Sequence, residues 1–153
     1  MEQTKRSTKE LVDLYKEDVI KLVQYLPYFE GKRASDVSHS FDAEEIGNTT
    51  LAFPVYDSTL LAFVKLAEQT VFMDRNYRYV YTRNNIRSHE DERRAIEKAT
   101  IQEMDILGGI LSKYVLGGKT RGAVWTEGVE AGIFYLVIQK MRELIVFWDK
   151  PIY

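Results

Sequence analysis

The stretch from Thr100 to Gly118 constrains the fold more than any other part of the chain. Ile101, Met104, Ile106, Leu107, Ile110, Leu111, Tyr114 and Val115 recur at helical spacing, yet they occupy more than one face of the helix they imply. A helix that is apolar on several faces is stable in water only when neighbours surround it, so the chain must build a bundle around a central rod. Gly108 and Gly109 weaken that rod by roughly 1 kcal/mol each relative to alanine, but they let another element approach closely. Thr100-Ile101-Gln102-Glu103 is a capping box that starts the rod, and Gly117-Gly118 is the expected end.

The remaining segments supply the neighbours. Ser7-Thr8-Lys9-Glu10 is a second capping box, followed by Leu11, Tyr15, Val19, Leu22 and Leu26 at helical spacing. Pro27 disfavours helical geometry at Leu26 and is expected to stop this helix. From Glu30 to Thr50 the composition is polar, which predicts a long surface connection. Leu51 to Tyr56 reads as extended, and Asp57 or Ser58 can cap a helix carrying Leu60, Leu61, Val64, Ala67 and Val71.

Asp74 to Arg87 reads differently. Tyr77, Tyr79 and Tyr81 alternate with Arg78, Val80 and Thr82, which predicts a loop or small hairpin. Ser88 opens another helix, with Glu90, Asp91 and Glu92 suited to its positive end. A short helix over Val124 to Ala131, a turn at Gly132 and a final helix from Ile133 to Leu144 complete the pattern. The expected fold is all-α. It is a compact bundle of five or six helices in one domain, 1–153, with one short β-hairpin or extended segment near 74–87.

Composition narrows the function classes. A chain of 153 residues with 45% hydrophobic and 29% charged residues can bury a core as one domain. A net charge of -2 gives little attraction to a polyanion or an acidic membrane. The absence of cysteine excludes disulfides, thiolate metal sites and a cysteine nucleophile. The polar N-terminus lacks the apolar centre of a signal peptide, and no stretch approaches the roughly 20 apolar residues of a membrane span. A cytoplasmic location is therefore expected.

Three spellings occur together: Tyr25-Leu26-Pro27-Tyr28-Phe29, Tyr114-Val115-Leu116-Gly117-Gly118-Lys119-Thr120-Arg121-Gly122, and Trp125-Thr126-Glu127-Gly128-Val129-Glu130-Ala131-Gly132-Ile133-Phe134. The combination resembles a family of small bacterial domains of unknown function. In that family a glycine- and arginine-rich turn precedes an aromatic-led helix, a glycine and a final leucine-rich helix. The likeness runs from about Glu17 to Trp148 and is most distinctive in the C-terminal third. It implies a small helical bacterial domain and supplies no catalytic residue.

Four segments are candidates for function. In the 117–125 turn, glycine amides, Lys119 and Arg121 suit an anion, and Trp125 offers an aromatic anchor. The alternative is a helix–helix corner in which Arg121 pairs with Glu127, Glu130 or Asp105. The Walker-loop reading fails, because Lys113 stands where its first glycine is required and a helix precedes the turn. Asp105, among apolar residues, and Glu130 could line a carboxylate pocket of a small enzyme.

Arg75, Tyr77, Arg78, Tyr79, Tyr81, Arg83 and Arg87 interleave cations with aromatic faces, as single-stranded nucleic-acid binding requires. The alternative places the tyrosines on the core and the arginines in solvent. The apolar tail from Val146 to Tyr153 suits docking on the body of the domain or a homodimer contact with a second copy. The helix after Gly132 is too apolar to read base edges. Two histidines, His39 and His89, do not make a zinc site, and no cofactor motif is present. The expectation is a non-catalytic binding or interaction module contacting a protein partner or a small anionic ligand near the turn. A nucleic-acid binder or a small enzyme is the alternative.

Overall fold

Local capping explains where the main helices begin. In the computed structural model, which describes residues 6–41 and 53–149, Ser7 Oγ accepts from the Glu10 amide at 3.2 Å and starts α1 (Thr8–Val23). Ser88 Oγ accepts from the Asp91 amide at 3.1 Å and starts α6 (His89–Lys98). The Thr100–Glu103 capping box starts a 3-10 turn (Ile101–Glu103) that runs into the central rod.

The full order begins with α1, α2 (Leu26–Phe29), α3 (Ala34–Val37), β1 (Ser38–Phe41) and β2 (Phe53–Tyr56). It continues with α4 (Ser58–Ala67), α5 (Tyr77–Arg83), α6, α7 (Met104–Thr120), α8 (Ala123–Glu130) and α9 (Ile133–Trp148). The strands pair antiparallel, from Ser38 opposite Tyr56 to Phe41 opposite Phe53. The fold is helical as expected, with more and shorter helices than the periodicity suggests. Among the described residues no helix is long and apolar enough to cross a membrane.

One core runs through the molecule, with Leu107, Ile110, Leu111 and Tyr114 of α7 fully buried at its centre. Phe134 of α9 anchors an aromatic group. It stacks on Phe29 (centroids 5.2 Å apart) and meets Phe63 and Tyr114 edge-on at 5.3 and 6.0 Å. α1 lies along α9, so the earliest and latest helices cover each other.

Three expectations require correction. First, 77–83 is helix α5, not a hairpin. Tyr77, Val80 and Tyr81 also satisfy helical spacing, and Val80 seats directly over Gly109 of α7, where an added Cβ would meet Val80 Cγ1 at 2.8 Å. Packing against the rod thus overrides the local alternation. The chain turns away from the helix just past its Asn84 cap at Asn85, whose φ of 55° lies in the left-handed region that asparagine tolerates.

Second, α7 continues through Gly117-Gly118 to Thr120. Gly118 is needed for contact rather than for termination. The Trp125 indole rests on its bare Cα, and Trp125 Nε1 donates to the Val115 carbonyl at 3.0 Å. Third, Pro27 sits in the first turn of α2 rather than only ending α1, a position that does not need its missing N–H. The long connection is partly ordered as α3 and β1, and 42–50 lies outside the described residues, as do Leu51 and Ala52.

Candidate functional site

The structure gathers polar chemistry at a place the sequence reading did not single out, where α5, α6, α7 and α8 meet. Glu92 belongs to the inward stripe of α6 with Ile96, and only 1% of it is exposed. An ionised carboxylate can only accept hydrogen bonds, and here every partner donates. Tyr81 OH of α5 donates at 2.5 Å, and Tyr114 OH of α7 donates across both carboxylate oxygens at 2.7 and 2.8 Å. His89 Nδ1 lies 2.8 Å from Glu92 Oε1, while His89 Nε2 lies 3.0 Å from Glu127 Oε1 of α8. Lys113 Nζ stands 3.6 Å from Glu92 and 4.9 and 5.0 Å from the centroids of the Tyr81 and Tyr114 rings. No buried side-chain polar atom among the described residues is left without a partner.

Two clefts open beside this cluster. The more polar one, of about 360 Å³, is lined by Ile86, Arg87, Ser88, His89, Glu92 and Glu127, with Tyr81 and Lys113 as its wall. A more apolar one of about 410 Å³ is lined by Tyr77, Arg78, Thr82, Gly117 and Val124, again with Tyr81 and Lys113. Lys113 therefore faces both.

Burial, followed by the Glu92 charge and its hydrogen bond, holds the Tyr81 phenol far above the ordinary range. Burial and the hydrogen bond to Glu92 do the same to Tyr114. The folded protein thus keeps two protons that the unfolded chain releases above about pH 10. Stability contributed by these phenols is complete below that pH and is lost as pH rises, at a slope of up to roughly 2.7 kcal/mol per pH unit. Denaturant midpoints measured between about pH 9 and about pH 11 should fall steeply, and Tyr114→Phe should flatten the fall. A midpoint that drifts equally in both proteins would show that the cluster does not govern the alkaline limb.

The residues singled out from sequence are placed elsewhere. Lys119 pairs with Glu68 at 3.1 Å. Arg121 is exposed at the end of α7 and makes no side-chain hydrogen bond among the described residues. Trp125 covers Gly118 and meets the Tyr56 ring edge-on at 5.2 Å. Glu130 accepts from the Ala34 amide at 2.8 Å and from Arg33 at 2.9 Å, and chiefly the Ala34 amide holds its carboxyl below the usual range. Asp105 is not a buried acid. Its side chain is 54% exposed and takes an ion pair from Arg83 at 2.9 Å. The carboxylate pocket expected around Asp105 and Glu130 is thus not formed by those residues, because each is an exposed partner of its own arginine.

The arginine–tyrosine segment splits across the faces of α5. Tyr77 and Tyr81 turn to the clefts, whereas Tyr79 is 65% exposed beneath the Arg83 guanidinium. Arg75, Arg78 and Arg87 remain on the surface. Val146, Phe147 and Trp148 at the end of α9 are also exposed, and Pro151, Ile152 and Tyr153 of the expected homodimer contact lie outside the described residues.

The signal that could have located the cluster is Glu92 itself, a carboxylate at the same helical register as Ile96 and Ala99. No group of histidine, aspartate and glutamate among the described residues is arranged to hold a metal ion. Compared with known proteins, the chain matches no family model, no curated protein and no solved structure.

Proposed function

We propose that the protein is a binding domain for a small organic ligand, seated where α5, α6, α7 and α8 meet rather than on the 117–125 turn. The observation that carries this reading is the shared wall. Tyr81 and Lys113 border both an apolar and a polar cleft, so one ligand can lay its body on one side and present polar atoms to the other. Sites of this kind combine apolar lining with a few fixed polar groups, and here Glu92 fixes the phenols while the Tyr81 and Tyr114 rings seat Lys113. Around the turn, by contrast, Lys119, Trp125 and Glu130 are occupied by contacts within the chain.

A thermal-shift panel of nucleotides, phosphorylated metabolites and organic acids, amides and amines tests the reading. A compound at about 100 times its dissociation constant should stabilise by about 2.7 kcal/mol and raise the melting temperature by several degrees. Lys113→Met should reduce the shift, while Arg121→Ala should leave it intact. The opposite pattern would return the site to the turn, and a flat panel would remove the ligand reading.

A second reading is catalytic, and His89 is what favours it. Buried Glu92 orients its ring through Nδ1, and a substrate that displaced the partly exposed Glu127 from Nε2 would meet that nitrogen directly, the arrangement a proton-transferring imidazole requires. A panel compound that stabilises the protein would then be chemically altered on prolonged incubation with the wild type and unaltered with His89→Asn, as read by mass spectrometry. Unchanged compound in both would leave binding alone.

A further inference from the structure

Resting on the ligand reading above, we infer that the ligand is a small amphiphilic monoanion, an apolar body bearing one carboxylate, with the body on Tyr77 and Val124 and the carboxylate between Arg78 and Lys113. The lining of the apolar cleft sets the charge. It carries two cations, Arg78 and Lys113, and no carboxylate. Arg78 has no acidic partner among the described residues, and a guanidinium fork matches the planar geometry of a carboxylate.

Lys113 is also available. Its distance of 3.6 Å from Glu92 is longer than a hydrogen bond, and the Glu92 oxygens are already taken by two phenols and His89. The ammonium, 36% exposed along its side chain, rests on the Tyr81 and Tyr114 rings and keeps its protons free to donate.

Gly117 sets the room for the body. It faces the cleft from inside α7, where glycine costs helix stability. A Cβ added there would come to 3.3 Å from Val124 Cγ1 and 3.9 Å from the Tyr77 hydroxyl, entering the space between the two walls. Packing explains the neighbouring Gly118, on which the Trp125 indole sits. At Gly117 the space is what the glycine preserves.

The more polar cleft gives a second negative charge no net attraction. Glu92 and Glu127 line it together with Arg87 and the His89 ring, so a phosphate chain or second carboxylate reaching past Lys113 would meet like charges beside the cations, in a partly desolvated setting. A nucleotide is therefore disfavoured even though the entrance is cationic.

The test is titration of the whole protein, at fixed ionic strength with chloride as the reference anion, using phenylacetate, phenylacetamide, phenethylamine and ATP. The location is read from the Val124 methyl resonances. Phenylacetate should shift those methyls and bind at least about tenfold more tightly than the isosteric amide, a difference of about 1.4 kcal/mol. The amine and ATP should bind more weakly still. Lys113→Met and Arg78→Gln should each erase the preference for acid over amide, and Gly117→Leu should remove the binding of both.

Equal binding of acid and amide, or tighter binding of the amine or ATP at the same methyls, overturns the inferred class while leaving the cleft a ligand site. Failure of all four probes when another panel compound stabilises through Lys113 has the same meaning. No stabilising compound at all overturns the class and the ligand reading together. Should Gly117→Leu fail to fold, the Val124 shifts in the Lys113 and Arg78 variants still decide the matter.

Discussion

Glu92→Ala is expected to cost about 3–5 kcal/mol of folding stability, far more than the loss of any other carboxylate in the described structure. The substitution removes the one acceptor shared by Tyr81 and Tyr114, leaves the buried Tyr114 hydroxyl with His89 Nδ1, 3.2 Å away, as its remaining neighbour among the described residues, and takes from Lys113 and His89 their common counter-charge. Glu92→Gln should cost less, because the amide oxygen still accepts one phenol while its NH2 group faces a second donor. Glu90, exposed on the same turn and paired only with Arg94, provides the control. Its replacement by alanine should stay within about 0.5 kcal/mol, as surface changes usually do. Denaturant titration of the three variants gives the comparison directly, and equal losses at positions 90 and 92 would refute the account of the cluster.

Phe134→Ala should cost a similar amount, about 3–5 kcal/mol, for a different reason. The ring is fully buried and contacts Phe29, Phe63 and Tyr114. It also closes over Gly128, where an added Cβ would come to 2.8 Å from its edge. The cavity left behind is bordered by α2, α4, α7 and α8, which cannot all close in, so both transfer and cavity terms apply. At about 2–4 °C per kcal/mol, the melting temperature should fall by about 10 °C. Phe134→Leu should recover much of the loss. A drop of only a degree or two for the alanine variant would mean that the core collapses around the gap.

Local rules were legible in the sequence where a short run of residues decides the outcome. The caps at Ser7, Ser88 and Thr100 appear as read, and the multi-faced apolar pattern of 101–115 does become the buried rod. The glycines at 108 and 109 admit Phe72 and Val80, as close approach required. Helix α5 was not legible, because its tyrosines fit both a two-residue and a helical period and only the Val80–Gly109 contact chooses between them.

The site was hidden for a related reason. Glu90, Asp91 and Glu92 look alike as acids in a helix's first turn, and only the register that the third shares with Ile96 and Ala99 sets it apart. The members of the cluster come from four different helices, so it exists only once the bundle is assembled. Lys119, Arg121 and Trp125 show the opposite case. A glycine, a cation and an aromatic in sequence looked like a binding turn, whereas the tryptophan mainly serves the helix corner beneath it.

The pairing of α1 with α9 bears on how the protein is made. Thr8–Val23 emerges from the ribosome roughly 110 residues before Ile133–Trp148, an interval of about 6 to 20 seconds at ordinary rates of synthesis. During that time Leu11, Val12, Val19 and Leu22 have only the partial cover of α4 and the 3-10 turn, which are made before α9. The nascent chain must therefore carry a half-sheltered oily stripe until the last helix arrives. Chaperone capacity and translation speed, more than the final free energy, should set how much of this protein a cell recovers in usable form.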